Sequence, residues 1–422
     1  MIDMAFQPPK GTRDFLPDES AKRRKYFELA RRVLESYGYG EIITPAFETI
    51  ELLEAKGSLG SDAVKDVFRI WDKGKEKLGY GLIFDPTTPI ARIVASDQSL
   101  AKPVKWYYIR PMWRYEETKA GRYREFWQAG AELIGSSDPA ADAEILALTA
   151  DTLRAMGIKD FTFKINSRKI VEALADAAGI PKDKRAAAFR AVDKLDKFGE
   201  AEVTVEMERA GIPSKAIEKF LKFVEMGSAQ IEKELKGKAT ELKEIEQVLA
   251  YAKKMGVTNI SVDFSIIRGI DYYTGFIFET LVKGFEKLGS VASGGRYDSL
   301  IEIYGGKPTP ATGVGIGIDR MMEIINDNVS AAPRVFVANV KDETKAEAMK
   351  TAQELRRRGI PTEFDVLGRN LKKQFEYVNS RQIPYCVIIG PQELAEKKAK
   401  LRDMKSGKET DVALDKLAKE LL

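Results

Sequence analysis

The stretch WRYEETKAGRYREFWQAGAELIG, residues 113–135, decides how this chain reads. Side chains on a β-strand alternate between two faces, so even-numbered positions share one side. After the loop these are Arg122, Arg124, Phe126, Gln128, Gly130 and Glu132. One face therefore carries cations, then an aromatic ring, an amide, a gap and a carboxylate. The preceding run, VKWYYIRPMWRYE over 104–116, brings Arg110, Met112, Arg114 and Glu116 to a common face by the same rule. The short polar segment ETKAG between the two runs predicts an antiparallel pair. Anion binders would lie near the loop and hydrogen-bonding groups deeper in. Gly130 would leave room for a small ligand between Gln128 and Glu132. The plainer account is a solvated strand face with surface ion pairs. It explains single charges, but not Phe126 and Trp127 among them, or a glycine inside a strand.

Two further segments add chemistry. In RGIDYYTG, residues 268–275, Gly269 and Gly275 permit tight backbone geometry or close approach of a ligand. Arg268 offers a planar fork of donors suited to phosphate or carboxylate, and the hydroxyls of Tyr272 and Tyr273 can donate to a polar ligand. Taken alone, the segment also describes two packed tyrosines and a local Arg–Asp pair. GVGIGIDRMMEII, residues 313–325, spaces its glycines as Gly-x-Gly-x-Gly, with no βαβ unit around them. That disfavours a dinucleotide fold, and no Walker-type Gly-Lys-Ser/Thr loop is present, so any ATP site is of another kind. The glycines instead let a ligand lie flat on the strand while Arg320 opens the helix and clamps it.

Composition narrows the chemistry. The 422 residues include one cysteine, Cys386, and no histidine. This excludes an internal disulfide, a Ser-His-Asp triad, a Cys-His pair and a metal site built from protein His or Cys. Catalysis must rest on carboxylates, Arg, Lys, Tyr, backbone dipoles or a hard cation held by oxygens. A net charge of +4 is mild, so cations matter where they cluster. No apolar run approaches the length of a bilayer span, and MIDMAFQPPKGTRDF lacks a signal-peptide core. The expectation is a cytoplasmic protein with no membrane partner.

Textures along the chain predict three parts. Residues 18–39 read as a helix stopped at Gly38, followed by a strand EIITP ending at Pro45. GLIF is another strand run, 135–157 a helix capped by Ser or Asp, and DFTFKINS a strand. From 181 to 250 the chain is charged, rich in Ala and Glu, and helical, which reads as an insertion inside a sheet-based domain. Strands resume at NISVDFSII and TGFIFETLV. After 331, strands and helices alternate, predicting a small, largely parallel α/β domain with a final hairpin turning at Ser-Gly. In that domain Arg356, Arg357 and Arg358 end one helix, where cations suit the macrodipole. Arg369, Lys372 and Lys373 open the next, against it, which hints at an anionic partner such as an RNA backbone.

With these residues assembled, the chain resembles the class II aminoacyl-tRNA synthetases, and among them the histidyl-tRNA synthetase family. QPPKGTRDFLP is similar to the family's N-terminal signature and YGYGEIITPAFE to its motif 1, the dimer-interface helix and strand. WRYEETKAGRYREFWQAGAE resembles motif 2 and GVGIGIDRMM motif 3, while RGIDYYTG and SGGRYDSL resemble two signatures of the histidine enzymes. GRNLKKQFEYVNSRQIPYCVIIG is similar to the anticodon-binding domain. The resemblance runs nearly end to end and is loosest in the helical insertion.

The resemblance implies an α+β catalytic domain on an antiparallel sheet (1–180 and 251–327), a helical insertion domain (181–250) and a C-terminal α/β anticodon-binding domain (332–422). It implies a histidine–tRNA ligase: ATP and L-histidine give histidyl-adenylate and pyrophosphate, and the acyl group passes to the terminal ribose of the tRNA. Charge developing at the α-phosphate must be stabilised. By resemblance Arg114 and Arg268 serve as the catalytic cations there. Arg122 and Arg320 hold the triphosphate, Phe126 stacks on adenine and Glu116 helps read it, with Mg2+ arriving on ATP. Asp85, Thr87 and Gln128 match positions near the substrate amino group, Glu132 and Tyr273 bracket the imidazole, and Tyr272 lines the same wall. Arg369, Lys372 and Lys373 would contact tRNA, and the assembly would be a homodimer. Ile83, Pro86, the ETK after Glu116, and Trp127 depart from the usual family residues, but none replaces a residue assigned to chemistry. A regulatory paralogue usually lacks the anticodon-binding domain and the catalytic arginines, and a sensor has no need of a triphosphate clamp. Both are disfavoured here.

Overall fold

The computed structural model describes residues 6–55, 64–118, 120–235, 240–267 and 272–422. The chain divides into two compact units, one of Met1–Phe15 and Arg23–Asp327, the other of Leu16–Lys22 and Asn328–Leu422. The strands of the first are β1 (Gly40–Glu41), β2 (Phe47–Thr49), β3 (Arg69–Asp72), β4 (Lys77–Leu82), β5 (Val104–Trp113), β6 (Glu125–Ile134), β7 (Phe161–Ser167), β8 (Ile260–Val262), β9 (Phe276–Val282), β10 (Ala292–Arg296) and β11 (Ala311–Gly317). Eight of them form one sheet in the order β1-β5-β6-β11-β10-β9-β7-β8, antiparallel except at its two edges, where β1 and β8 pair parallel. The strands β2, β4 and β3 form a separate small sheet.

The two-residue period of β6 decides which side of the large sheet does what. Its odd positions Ala129, Ala131 and Leu133 are buried in a core shared with the helix Pro139–Ala155. That helix starts where Asp138 Oδ1 accepts from the backbone N–H of Ala140 at 2.8 Å. Its Ala-rich face lets it lie close to the sheet, and the helix Thr240–Lys254 packs on it in turn. Each buried Leu or Ile here, such as Leu146 and Leu148, contributes about 1.5–3 kcal/mol. The even positions face the other way, into a second core around Tyr108, Tyr272 and Tyr297. The candidate site lies on that side.

The strand expected over 41–45 is mostly absent. Ile42 N–H still reaches Tyr107 O at 2.8 Å. Beyond it the Arg110 guanidinium takes Thr44 O at 3.0 Å, Thr44 Oγ1 at 2.5 Å and Pro45 O at 3.0 Å. Pro45 has no N–H to extend the ladder. Arg110 is therefore occupied at the sheet margin and does not join the anion-binding face as its even number suggested. Between Arg168 and Lys254 the described residues form helices and no strand, beginning with the helix Arg168–Ala178.

The second unit contains β12 (Val335–Asn339), β13 (Thr362–Phe364), β14 (Tyr385–Ile389), β15 (Lys398–Asp403) and β16 (Glu409–Ala413), in the order β13-β12-β14-β15-β16. Only β13, β12 and β14 are parallel. The terminal hairpin, turning at Gly407 with φ +73°, adds two antiparallel strands, so the sheet is mixed, not largely parallel. Both faces of β12 are covered, as parallel strands require. Val335 and Val337 meet the core that includes Ala348, Ala352 and Leu355, while Phe336 and Ala338 meet Val378 and Cys386. No helix among the described residues is long and apolar enough to cross a membrane.

Candidate active site

A pocket of about 140 Å³ opens on the even-numbered face of β6. It gathers Arg114, Glu116, Arg122, Phe126, Gln128 and Glu132 from the β5–β6 pair. To these it adds Asp85 and Thr87 from the start of the helix Thr87–Ser96, Tyr272 and Tyr273 from before β9, and Arg320 from the helix after β11. Arg268 lies outside the described residues. Arg124, expected on the same face, turns away: its guanidinium stacks 4.0 Å from the ring centroid of Tyr115. Arg369, Lys372 and Lys373 belong to the other unit.

One end of the pocket is sealed and carries two carboxylates. Glu132 is 2% exposed, and both of its oxygens accept hydroxyls: Thr87 Oγ1 donates to Oε1 at 2.8 Å and Tyr297 O–H to Oε2 at 2.5 Å. Asp85 accepts from Thr87 N–H at 2.9 Å and from Tyr272 O–H at 3.0 Å. Among the described residues neither carboxylate forms an ion pair with a Lys or Arg. Burial pushes the Glu132 carboxyl up to about 8; the hydroxyl of Tyr297 pulls against this, and the charge of Asp85 adds to it. Burial likewise holds the hydroxyls of Tyr108, Tyr272 and Tyr297 well above the ordinary tyrosine value, so they stay protonated donors. A buried carboxylate without a cation is costly. This end therefore favours a small ligand bearing positive charge or N–H donors.

The other end is half-exposed and cationic. Arg122 pairs with Glu116 at 3.4 Å. Arg114 donates through Nε to Phe84 O at 3.1 Å and lies 5.1 Å from the Phe126 ring centroid. Arg320 donates to the carbonyls of Ser290 and of Gly121, the latter at 3.4 Å. Burial pushes the Arg320 guanidinium down to about 10, and the like charge of Arg122 adds to the effect. Of the carboxylates beside these three arginines, Glu116 pairs with Arg122 and Asp319 is taken by Arg13 and Arg23, so this end can receive a polyanion.

Gly130 has a different task from the one its position suggested. A Cβ on Gly130 would fall 2.2 Å from Tyr108 Oη, because Tyr108 sits opposite it on β5 and fills the gap. The space between Gln128 and Glu132 therefore holds a tyrosine, and Gln128 Nε2 donates to its hydroxyl at 3.1 Å. In β11 a Cβ on Gly313 would fall 1.8 Å from Glu132 Oε2, and one on Gly315 1.8 Å from Gln128 Nε2. These two glycines make room for the side chains of Glu132 and Gln128, and with Gly317 they also line the pocket. Sequence reasoning missed Tyr108 and Tyr297. Tyr108 is even-numbered on β5 and faces Gly130, which was the available signal. Tyr297 follows the SGGR run, whose Arg296 is buried against Asp142, with Nη2 donating to Oδ2 at 2.7 Å. That anchor fixes the strand end from which Tyr297 reaches Glu132.

Comparison with known proteins places this geometry. Residues 11–321 match the family model for histidyl-tRNA synthetase, and residues 334–422 match the model for an anticodon binding domain. The histidine–tRNA ligase of Thermococcus kodakarensis is 38% identical over 98% of this chain and 97% of its own length. That of Pyrococcus furiosus is 38% identical over 96% of both chains. The crystal structure of histidyl-tRNA synthetase from a Nostoc species superimposes with a TM-score of 0.83 at 30% identity, covering 99% of each chain.

Proposed function

This chain belongs to the histidyl-tRNA synthetase family, and from that premise we propose how its residues divide the work of a histidine–tRNA ligase. The reaction joins histidine to ATP, releases pyrophosphate and passes the acyl group to tRNA. The observation that carries the division is the polarity of the pocket: two buried carboxylates at one end, three arginines at the other. Histidine is the small ligand that suits the first end. Its ammonium group meets Asp85 and Thr87, with Gln128 beside them, and its imidazole lies between Glu132 and Tyr273 against Tyr272. A site that satisfies both imidazole nitrogens rejects apolar analogues, because its own polar groups would be stranded.

ATP takes the second end. Arg122 and Arg320 hold the triphosphate, Phe126 stacks on adenine and Glu116 reads it. Arg114, at that end too, meets the α-phosphate that the histidine carboxylate attacks, and Arg268 joins it on the strength of the sequence motif. Mg2+ enters on the phosphates of ATP and adds charge to stabilise them. Glu116 is a carboxylate at that end, and among the described residues no group of three metal-binding side chains forms a cage. Pyrophosphate–ATP exchange with each amino acid in turn tests the assignment. Exchange confined to histidine is expected; exchange with other amino acids at comparable rates contradicts it.

We assign residues 332–422 to anticodon binding and residues 181–250 to a helical insertion. For tRNA contact, Lys372 and Lys373 are exposed, whereas Arg369 is held by Asp365 at 2.6 Å and stacks 4.1 Å from the Tyr377 ring centroid. Of the three cations, the two lysines are better placed to meet a phosphate backbone. We also propose a homodimer, supported by large apolar side chains left outside: Ile43 at 87% exposure, Trp71 at 58% and Phe47 at 48%. Light scattering is expected to return the mass of two 47.1 kDa chains, and a single-chain mass at micromolar concentration would refute the dimer.

A further inference from the structure

The carboxylate of Asp319 is 3% exposed and precedes Arg320. Its Oδ1 accepts from Arg13 Nη2 at 2.6 Å and from Arg23 Nη1 at 2.7 Å, and its Oδ2 accepts from the backbone N–H of Trp127 at 2.5 Å. The segment before the helix Pro17–Ser36, that helix itself and β6 thus all end on one side chain. Two arginines share a single buried carboxylate, so its loss would strand both of them.

The N-terminal segment also grips the loop between β5 and β6. Gly11 O accepts from the N–H of Arg124 at 2.8 Å and of Glu125 at 3.3 Å. Gly11 has φ +85°, and a Cβ there would fall 2.7 Å from Arg124 Cγ and 2.8 Å from Thr118 Cγ2, so only glycine lets the segment lie this close. The Arg13 guanidinium rests 3.4 Å from the ring centroid of Tyr123. Arg320 holds the same loop through Gly121 O. The loop that carries Glu116 and Arg122 is therefore held at two places, and Asp319 joins one hold to the other.

We propose that Arg13 and Asp319 are positioning residues for ATP, bracing the loop so that Arg122 and Arg320 converge on the triphosphate. This rests on the assignment of those two arginines made above. Arg13 itself is not among the residues that line the pocket. A brace of this kind acts on one substrate. A residue that merely supported the fold would change affinity for both.

Pyrophosphate exchange on the full-length chain separates the cases. Arg13→Ala is expected to raise the KM for ATP by about tenfold while the KM for histidine stays within about twofold. Arg13→Lys, which keeps the charge on Asp319, is expected to recover part of that loss. Asp319→Asn combined with Arg13→Ala is expected to cost about as much as the larger single change, because the two residues act as one unit. If Asp319→Asn does not fold, the Arg13 pair carries the test. An unchanged KM for ATP in Arg13→Ala, or equal rises in both KM values, overturns the brace. Arg320→Ala run beside it tells the two claims apart: if that variant also leaves the KM for ATP unchanged, the triphosphate assignment fails and takes the brace with it.

Discussion

Replacing Arg320 with alanine is expected to lower kcat/KM for ATP in histidine-dependent exchange by about 10²–10³-fold, the scale seen when one preorganised charge donor is removed. The argument starts from crowding. The Arg320 guanidinium is half-buried, lies near Arg122, and is pushed down to about 10 by burial and then by that neighbour. Its hydrogen bonds go to two backbone carbonyls, Ser290 O and Gly121 O, not to a carboxylate. It is fixed in place without being neutralised, which is what a developing negative charge needs. Removing it relieves repulsion in the free protein, so melting temperature is expected to hold steady or rise while ATP use collapses. Arg320→Lys keeps a charge but loses the planar fork, and should fall between the two. A variant that melts early and keeps its KM for ATP would assign Arg320 to the fold alone.

Glu132→Gln is the second large effect, and it should be confined to histidine. The KM for histidine is expected to rise by about 10²–10³-fold with the KM for ATP little changed, because a site built to hydrogen-bond a ligand loses most when its own group is altered. Stability should move the other way. Folding raises the Glu132 carboxyl from an ordinary 4.5 to about 8, chiefly through burial. Between those values the native state holds a proton that the unfolded chain has released. Stability from this group therefore falls as pH rises through that window. Glutamine has no proton to lose. The difference in melting temperature between variant and parent should shift in the variant's favour from about pH 5 to about pH 9. A constant difference across that range would contradict the protonation behaviour assigned to Glu132.

These effects trace back to residues that the sequence made partly legible. Period two along β6 separates Phe126, Gln128 and Glu132 from Ala129, Ala131 and Leu133, because a strand with one face against helices must alternate. It says nothing of what lies across the ladder. Tyr108 is twenty-two residues from Gly130 in sequence yet within contact of it, a relation set by register and not by local pattern. The same limit hides Tyr297, brought to Glu132 from β10, and Asp319, brought to Arg13 from more than three hundred residues away. The β11 glycines show the converse. Their spacing was visible, but their purpose depends on the side chains of β6 lying across them. Arg110 and Arg124 share the parity of the pocket residues, yet Thr44, Pro45 and Tyr115 take them first.

The most direct measurement is a crystal structure of the protein with histidine and a non-hydrolysable ATP analogue bound together. It is expected to show an imidazole nitrogen within hydrogen-bond distance of Glu132, the ammonium group at Asp85 and Thr87, and the phosphates against Arg122 and Arg320. Histidine bound away from Glu132, or phosphates that meet neither arginine, would contradict the division of the pocket.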